Sequence, residues 1–258
     1  MIKIAALQMQ AVAGDATANL ARIEQAAREA ASAGADLLVT PELAVTGYGA
    51  GEAIRVMAES AAGELAARLS ALSAETGIAL VVGFAEREAE MIYNSALYVD
   101  GAAAPVVYRK SHLYGPYERE LFQPEKPGAC VIDHRGSRIG LLICYDVEFP
   151  ENVRRLAQAG AQIVVVPTAL PASDHDQFIA RKLIPVRAFE NQVFVAYVNH
   201  CGADALFSYA GLSGIAAPDG TMLAEAGRNE EALLIAEIRP ADYEASAAAN
   251  SYLADLRV

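Results

Sequence analysis

Short apolar runs that each follow a helical pattern constrain this chain more than any other feature. Two of them, Gly34-Ala35-Asp36-Leu37-Leu38-Val39-Thr40-Pro41 and Gly160-Ala161-Gln162-Ile163-Val164-Val165-Val166-Pro167, repeat the pattern Gly-Ala-polar-apolar-apolar-Val-x-Pro. A run that is apolar at consecutive rather than alternate positions needs cover on both faces of the sheet it enters. The segment before the first run places Leu20, Ile23, Ala27 and Ala30 on one helical face and Arg22, Gln25 and Glu29 on another, and Gly34 ends it. A second helix carries Leu65, Leu69 and Leu72, reaches Gly77 and leads into a strand over residues 78–84. The repeated junction implies two similar α/β halves. The expected fold is therefore α/β, a four-layer α-β-β-α sandwich with two β-sheets face to face and helices outside.

Between the halves, Met91–Val99 and Val106–Arg109 read as paired strands around the turn Asp100-Gly101, and a polar, Gly/Pro-punctuated loop is expected over 111–128. A hairpin turning at His134-Arg135-Gly136 leads to a strand over 139–143 that delivers Cys144. Pro150 suits the first turn of the next helix, which Gly160 stops. A strand over 163–166, a helix around 178–189, a strand over 193–198 and a β-rich stretch from 213 to 238 complete one domain, expected to span residues 1–258 without a linker.

Composition narrows the function classes. The chain has 258 residues, 54% hydrophobic, enough for a large core, and its net charge of −12 comes with no Lys/Arg block that could neutralise a run of phosphates. Nucleic acid is not an expected partner. Apolar runs stop after about five to eight residues, short of a membrane span, so no membrane partner is expected either. The start, Met1 to Gln8, lacks the pattern of an export leader, and the expected location is cytoplasmic. Cys130, Cys144 and Cys201 are odd in number and widely spaced, which reads as thiols rather than a disulfide framework.

Three reactive side chains, Glu42, Lys110 and Cys144, lie just beyond the ends of expected strands, where α/β folds open onto ligand-binding crevices. A lone cysteine is more often a small buried hydrophobe, so the chemistry must decide. A thiol attacking a carbonyl needs a base, a donor for the oxyanion and, later, an activated water. Glu, Lys and Cys supply those roles, a nearby Lys⁺ favours the thiolate, and a strand-to-helix turn between Cys144 and Pro150 leaves backbone N–H groups free. The N–H of Tyr145 could join Lys110 at the oxyanion.

The segments that carry these residues are Thr40-Pro41-Glu42-Leu43 with Thr46-Gly47-Tyr48, Tyr108-Arg109-Lys110-Ser111-His112-Leu113, and Cys144-Tyr145-Asp146-Val147-Glu148-Phe149-Pro150-Glu151. In this order they resemble the nitrilase superfamily of carbon-nitrogen hydrolases. The similarity extends to Arg187-Ala188-Phe189-Glu190-Asn191 with Asn199, and to Tyr252-Leu253-x-Asp255-Leu256-Arg257, so it covers nearly the whole chain. The resemblance implies that Glu42 is the general base, Lys110 the stabiliser of the tetrahedral intermediate and Cys144 the nucleophile. It implies a second glutamate after the lysine, Glu118 by match with Glu120 as runner-up, and a thioester acyl-enzyme formed without metal or organic cofactor. Tyr48, Tyr145, Glu148 and Thr168, each near a motif or a strand end, form the expected substrate-binding set. A homodimer or higher homo-oligomer is also implied, with the region after Cys144 and the C-terminal tail in the interface.

Other constellations are weaker. His112, His134, His175 and His200 show no zinc spacing, and no metal site is expected. A Cys-His dyad of Cys144 with His112 or His200 would leave the Glu and Lys motifs unexplained. His175 between Asp174 and Asp176 reads as a helix-start cluster. Gly47-Tyr48-Gly49-Ala50-Gly51 lacks the context of a phosphate loop and reads as a flexible surface loop facing substrate, with Tyr48 as a pocket wall. Cys-Tyr-Asp followed by Phe-Pro-Glu resembles the amidase branches, whereas nitrile-cleaving members usually carry Cys-Trp-Glu. D-amino-acid carbamoylases place arginines soon after the cysteine, where this chain has Val147 and Glu148. The expected substrate is therefore a small neutral or amine-bearing primary amide, with Glu148 able to hold an ammonium. N-carbamoyl amine hydrolysis, nitrile hydrolysis and a silent binding scaffold are the alternatives.

Overall fold

A computed structural model describes residues 1–257. The strands are β1 (Ile2–Gln8), β2 (Leu37–Val39), β3 (Ala79–Glu88), β4 (Met91–Val99), β5 (Val106–Arg109), β6 (Val131–His134), β7 (Ser137–Leu141), β8 (Ile163–Thr168), β9 (Phe194–Asn199), β10 (Gly214–Ala216), β11 (Met222–Glu225) and β12 (Ala232–Ile238). They form two six-stranded sheets, ordered β12-β1-β2-β3-β4-β5 and β11-β10-β9-β8-β7-β6. Each sheet has three parallel strands, β1, β2 and β3 in one and β7, β8 and β9 in the other, flanked by antiparallel strands. The two echoing sequence segments become β2 and β8, the middle parallel strand of each sheet.

The continuous apolar runs are buried on both faces, as their pattern demands. Leu38 faces outward with Ala5, Leu7 and Leu80, against Leu20, Ile23, Ala27 and Ala30 of α1 (Ala16–Ser32) and Leu65, Leu69 and Leu72 of α3 (Glu64–Thr76), with the short α2 (Ala53–Met57) between them in the chain. Leu37 and Val39 face the opposite way, into a core shared with Ile4, Val81, Tyr98 and the second sheet. That core continues to Val153 and Leu156 of α5 (Pro150–Gln158) and Ile184 and Ala188 of α7 (Ile184–Asn191), which cover the second sheet from outside. The four layers expected from the sequence are present. No helix among the described residues is long and apolar enough to cross a membrane.

Two segments depart from expectation. The loop expected over 111–128 contains α4 (Gly115–Leu121), with Pro116 in its first turn and Glu118 and Leu121 turned inward. Its seven residues are under two turns, too few for a periodic pattern to register. The segment Gly47–Gly51, expected as a flexible surface loop, is instead packed inside around the 3₁₀ turn Tyr48–Ala50, with Tyr48 and Gly49 buried. A Cβ on Gly49 would fall 2.2 Å from the Asp204 carboxylate, so the glycine permits contact rather than mobility. The helix expected around 178–189 begins earlier, at α6 (Asp176–Phe178), and passes through a π-helical segment, Ile179–Leu183, into α7. As expected, His175 lies at the helix start.

The topology gathers the strand ends. Glu42 follows β2, Lys110 follows β5, Cys144 follows β7 and Thr168 ends β8. The backbone N–H of Glu42 donates to Thr168 O at 3.4 Å, tying the two middle strands together across the sheets. Gly83 of β3 makes the approach of the Glu42 loop possible, since a Cβ there would lie 2.2 Å from Pro41 O and 2.6 Å from Leu43 N. Gly83→Ala is therefore expected to cost about 1–3 kcal/mol by overpacking against backbone that cannot yield. Urea unfolding of the two proteins measures it; an unchanged midpoint would remove the claim that this glycine sets the position of Glu42.

Candidate active site

The Lys110 ammonium is wholly buried, which is tolerable only with charge compensation. It donates to Glu42 Oε1 at 2.6 Å and to Glu118 Oε1 at 2.7 Å. Both carboxylates are buried as well. Glu42 Oε1 also accepts from Asn94 Nδ2 of β4 at 2.7 Å, whereas Glu42 Oε2 is buried with no hydrogen-bond partner. Glu118 is anchored at both oxygens, Oε1 by the Tyr48 hydroxyl (2.9 Å) and Oε2 by the Tyr114 N–H (2.9 Å). Burial, reinforced by the Glu42 charge and only partly offset by Lys110, pushes Glu118 up to about 7. Glu120 is exposed, and Arg55 binds its carbonyl, so the geometry puts Glu118 rather than Glu120 beside the lysine.

Cys144 opens the 3₁₀ turn Cys144–Glu148 directly after β7, with φ at +44°. A left-handed conformation is costly for a residue with a Cβ, and such strain concentrates where a side chain must be presented at a sharp turn. Leu43, next to Glu42, shares this feature with φ at +50°. The Cys144 thiol is pushed well above its ordinary value by burial first and by the Glu42 and Glu118 charges, against the opposing pull of Lys110 and the Ala169 N–H turned toward the sulfur. The resting group is therefore the protonated thiol. The Tyr145 N–H is among those the turn leaves without a backbone acceptor.

Asp146, two residues after the cysteine, joins this turn to the lysine segment. Its buried carboxylate accepts from Tyr108 OH (2.8 Å), Ser111 Oγ (2.8 Å), His112 N (2.9 Å) and Ile143 N (3.3 Å). The donors flank Lys110 on both sides, so one carboxylate fixes the lysine segment against the cysteine turn. Arg187, buried on α7, holds the other end of the turn by donating to Val147 O (2.9 Å) and Glu148 O (2.7 Å). Asn199 accepts from Leu170 N at 2.8 Å and so fixes the loop that brings Ala169 to the sulfur.

The expected substrate-binding residues divide. Tyr145 and Glu148 line, with Cys144, a cavity of about 480 Å³. Tyr48 is buried, in ring contact with Tyr117, Phe207 and Tyr209, with its hydroxyl on Glu118 Oε1, so it supports that glutamate. Thr168 is fully buried and gives its hydroxyl to Val166 O at 2.9 Å. The dyad alternatives fall away. His200 donates through Nε2 to Glu42 O at 2.7 Å, its second nitrogen lies 3.3 Å from Met9 O, and burial keeps it neutral, while His112 engages Asp146 and stacks on Phe149. Asp146 and Asn94 carry no sequence signal for these roles, although Asp146 lies inside the motif that carries Cys144, and His200 stands out in the sequence only as a dyad alternative.

Two consequences follow for titration. Glu118 binds a proton more tightly in the folded chain, at about 7, than at its ordinary 4.5, so the folded state gains from low pH and loses this advantage as pH rises from about 4.5 through 7. The unfolding free energy of wild type minus Glu118→Gln, from urea titrations at pH 5 and pH 8, is expected to fall between the two; a rise would contradict the assignment. Ultraviolet absorbance of wild type minus Cys144→Ala is expected to show no thiolate step between pH 6 and 8.

Comparison with known proteins identifies the family. Residues 3–248 match the family described as Carbon-nitrogen hydrolase. The chain is 42% identical over 248 residues to a Pseudomonas protegens protein described as "Hydrolase in pqqF 5'region", covering 94% of this chain and 85% of that one. It is 38% identical over 232 residues to an (R)-stereoselective amidase of a Pseudomonas species, covering 89% and 82%. Among solved structures, a variant of the amidase of Nesterenkonia sp. AN1 in complex with butyramide matches with a TM-score of 0.87 at 36% identity, covering 99% of this chain and 94% of that one. Another variant of that amidase carries acrylamide added to its active-site cysteine. The chain belongs to the carbon-nitrogen hydrolase family, within the nitrilase superfamily.

Proposed function

We propose that this enzyme is a cysteine-dependent amidase that converts a small neutral or amine-bearing primary amide to the carboxylic acid and ammonia through a thioester. One observation carries the reading: Lys110 gives two of its N–H groups to Glu42 and Glu118, keeping a third, while Glu42 keeps one carboxylate oxygen without a partner. The free N–H serves as an oxyanion donor and the free oxygen as a proton acceptor.

In the proposed sequence, Cys144 Sγ forms a bond to the amide carbon as its proton passes to Glu42 Oε2. The carbonyl oxygen becomes an oxyanion, held by Lys110 Nζ and the Tyr145 N–H. Collapse of the intermediate breaks the C–N bond, and Glu42 returns the proton to the departing ammonia. Water then gives a proton to Glu42, adds to the thioester and expels Cys144, which recovers the proton. Because the thiol is protonated at rest, the base must act in the attack itself. Glu118, held at both oxygens, fixes Lys110, and its assigned task is to orient the substrate amide and take part in proton transfer.

A cytoplasmic location and a homodimer complete the proposal. The second copy is argued from apolar side chains exposed on one side of the second sheet, Phe178 and Val186 on the α6–α7 segment and Tyr252 and Leu253 at the C-terminal end, where Phe189 meets Tyr252.

Ammonia release from primary amides, carbamoyl amines, carbamoyl amino acids and nitriles, with Cys144→Ala as control, tests the reading. Primary amides are expected to lead the panel, with no release by the control. Glu42→Gln is expected to lower kcat on the order of 1000-fold. Mass spectrometry of quenched turnover is expected to find the acyl mass on Cys144. Release that survives Cys144→Ala would sink the mechanism.

A further inference from the structure

The cavity over Cys144 is apolar along one side, where Leu170, Ile179 and Leu183 meet, and its single carboxylate belongs to Glu148. No Lys or Arg lines it. Glu148 is half-buried, yet its carboxylate makes no hydrogen bond or ion pair with any described residue. Lys110 and Arg187 act on it only at range. Lys110 donates to Glu42 and Glu118, and Arg187 to Val147 O, to the backbone carbonyl of Glu148 and to Glu190. Desolvating a carboxylate without a partner is costly, and burial accordingly raises its affinity for a proton.

The position of this carboxylate is built. Glu148 closes the same 3₁₀ turn that Cys144 opens, so about 8 Å of rise separates their backbones, the span of a short acyl chain once both side chains reach inward. Arg187 clamps its carbonyl, so Glu148 is fixed relative to the nucleophile. Beneath them lies a second uncompensated group. Tyr197 of β9 is fully buried and its hydroxyl has no hydrogen-bond partner, while burial first and then the Cys144 and Glu148 charges raise its affinity for its proton. Phenylalanine would fill that space without the desolvation cost of a hydroxyl. With Glu42 and Glu148, and Glu118 sharing a proton, set against Lys110, and with His175 the one basic side chain lining the cavity, the charge around the nucleophile leans toward a cation.

We infer that Glu148 is the specificity residue for the acyl side of the substrate, binding an ammonium group there, so that the enzyme selects short amino amides over neutral amides of the same shape. This rests on the amidase reading and deepens it. The chemistry is a charge-assisted N⁺–H···O⁻ contact to a half-buried carboxylate, where one such contact is worth on the order of 10- to 100-fold in binding.

The experiment compares kcat/KM for pairs that exchange NH₃⁺ for CH₃: glycinamide with propionamide, 3-aminopropanamide with butyramide, 4-aminobutanamide with pentanamide. Wild type is expected to prefer the ammonium member at least ~10-fold at one chain length, with Glu148→Gln collapsing that ratio at least ~10-fold, mainly through KM. A ratio that Glu148→Gln leaves unchanged, or a wild-type preference for every neutral member, would overturn the inference, since a merely structural carboxylate moves both members together. Should wild type release no ammonia from any pair, the amidase reading itself has failed. The subsite is then read by calorimetry of the same pairs on Cys144→Ala protein, where tighter binding of an ammonium member sustains it and equal binding overturns it.

Discussion

The Lys110 ammonium buried between two carboxylates is the interaction on which the rest of the site depends. Its two carboxylate partners come from separate places, Glu42 from the end of β2 and Glu118 from α4, and Asn94 of β4 donates in turn to Glu42. None is close to another in sequence. Removing any of these charges would leave the others buried without compensation, which is more costly than never having buried them. Two acids and one base also leave a surplus negative charge, which the site accommodates by holding a proton near Glu118 at about 7. Burial first, with this surplus adding to it, holds the Cys144 thiol well above its ordinary value, so the electrostatics that anchor the lysine also favour the protonated thiol.

A fixed lysine is useful only if the nucleophile is fixed relative to it, and this is where Asp146 enters. The lysine segment belongs to the first sheet and the cysteine turn to the second, so no strand pairing relates them. Asp146 replaces that missing pairing with four donors, three from the lysine segment and one from its own turn. His200 does the corresponding task for the base, bonding Glu42 O from the end of the second sheet's β9. The strained φ values at Cys144 and Leu43 persist because these contacts over-determine the two turns.

Much of this was legible in the sequence, for physical reasons that also mark where legibility stops. The apolar runs at β2 and β8 had to be covered on both sides, and that requirement alone led to two sheets with helices outside. Glu42, Lys110 and Cys144 could be singled out because reactive side chains beyond strand ends face crevices. The segment around Tyr48 was not legible as buried because a glycine-rich stretch reads as mobile, while in this fold Gly49 allows close packing against Asp204 and Gly47 against Ala13. The helix that presents Glu118 was too short to register as a period, so the glutamate could be matched by motif without its support being visible. Asp146 and His200 had no signal of their own, since their roles arise from contacts between the two sheets, and a single sequence records which residues are present but not which of them meet.

The reacting end and the acyl end of the site are held by different kinds of structure. Base, lysine and nucleophile stand at strand ends and are locked by buried hydrogen bonds from both sheets, so their geometry is shared with the whole core. The acyl cavity is walled by the last residue of the cysteine turn, the loop at Leu170 and the π-helical segment Ile179–Leu183. A π-helical insertion alters helix register locally while leaving the outer layer of α7 packed on the second sheet, and such insertions recur at functional sites. Exchanges at Glu148, Ile179 or Leu183 therefore alter the shape or charge that meets the acyl group without passing through the Lys110 network. On the proposed reading the fold separates a rigid centre for amide cleavage from a wall for substrate selection, and the separation follows from the topology: strand ends converge on Glu42, Lys110 and Cys144, and the connections after β7 and β8 form the wall.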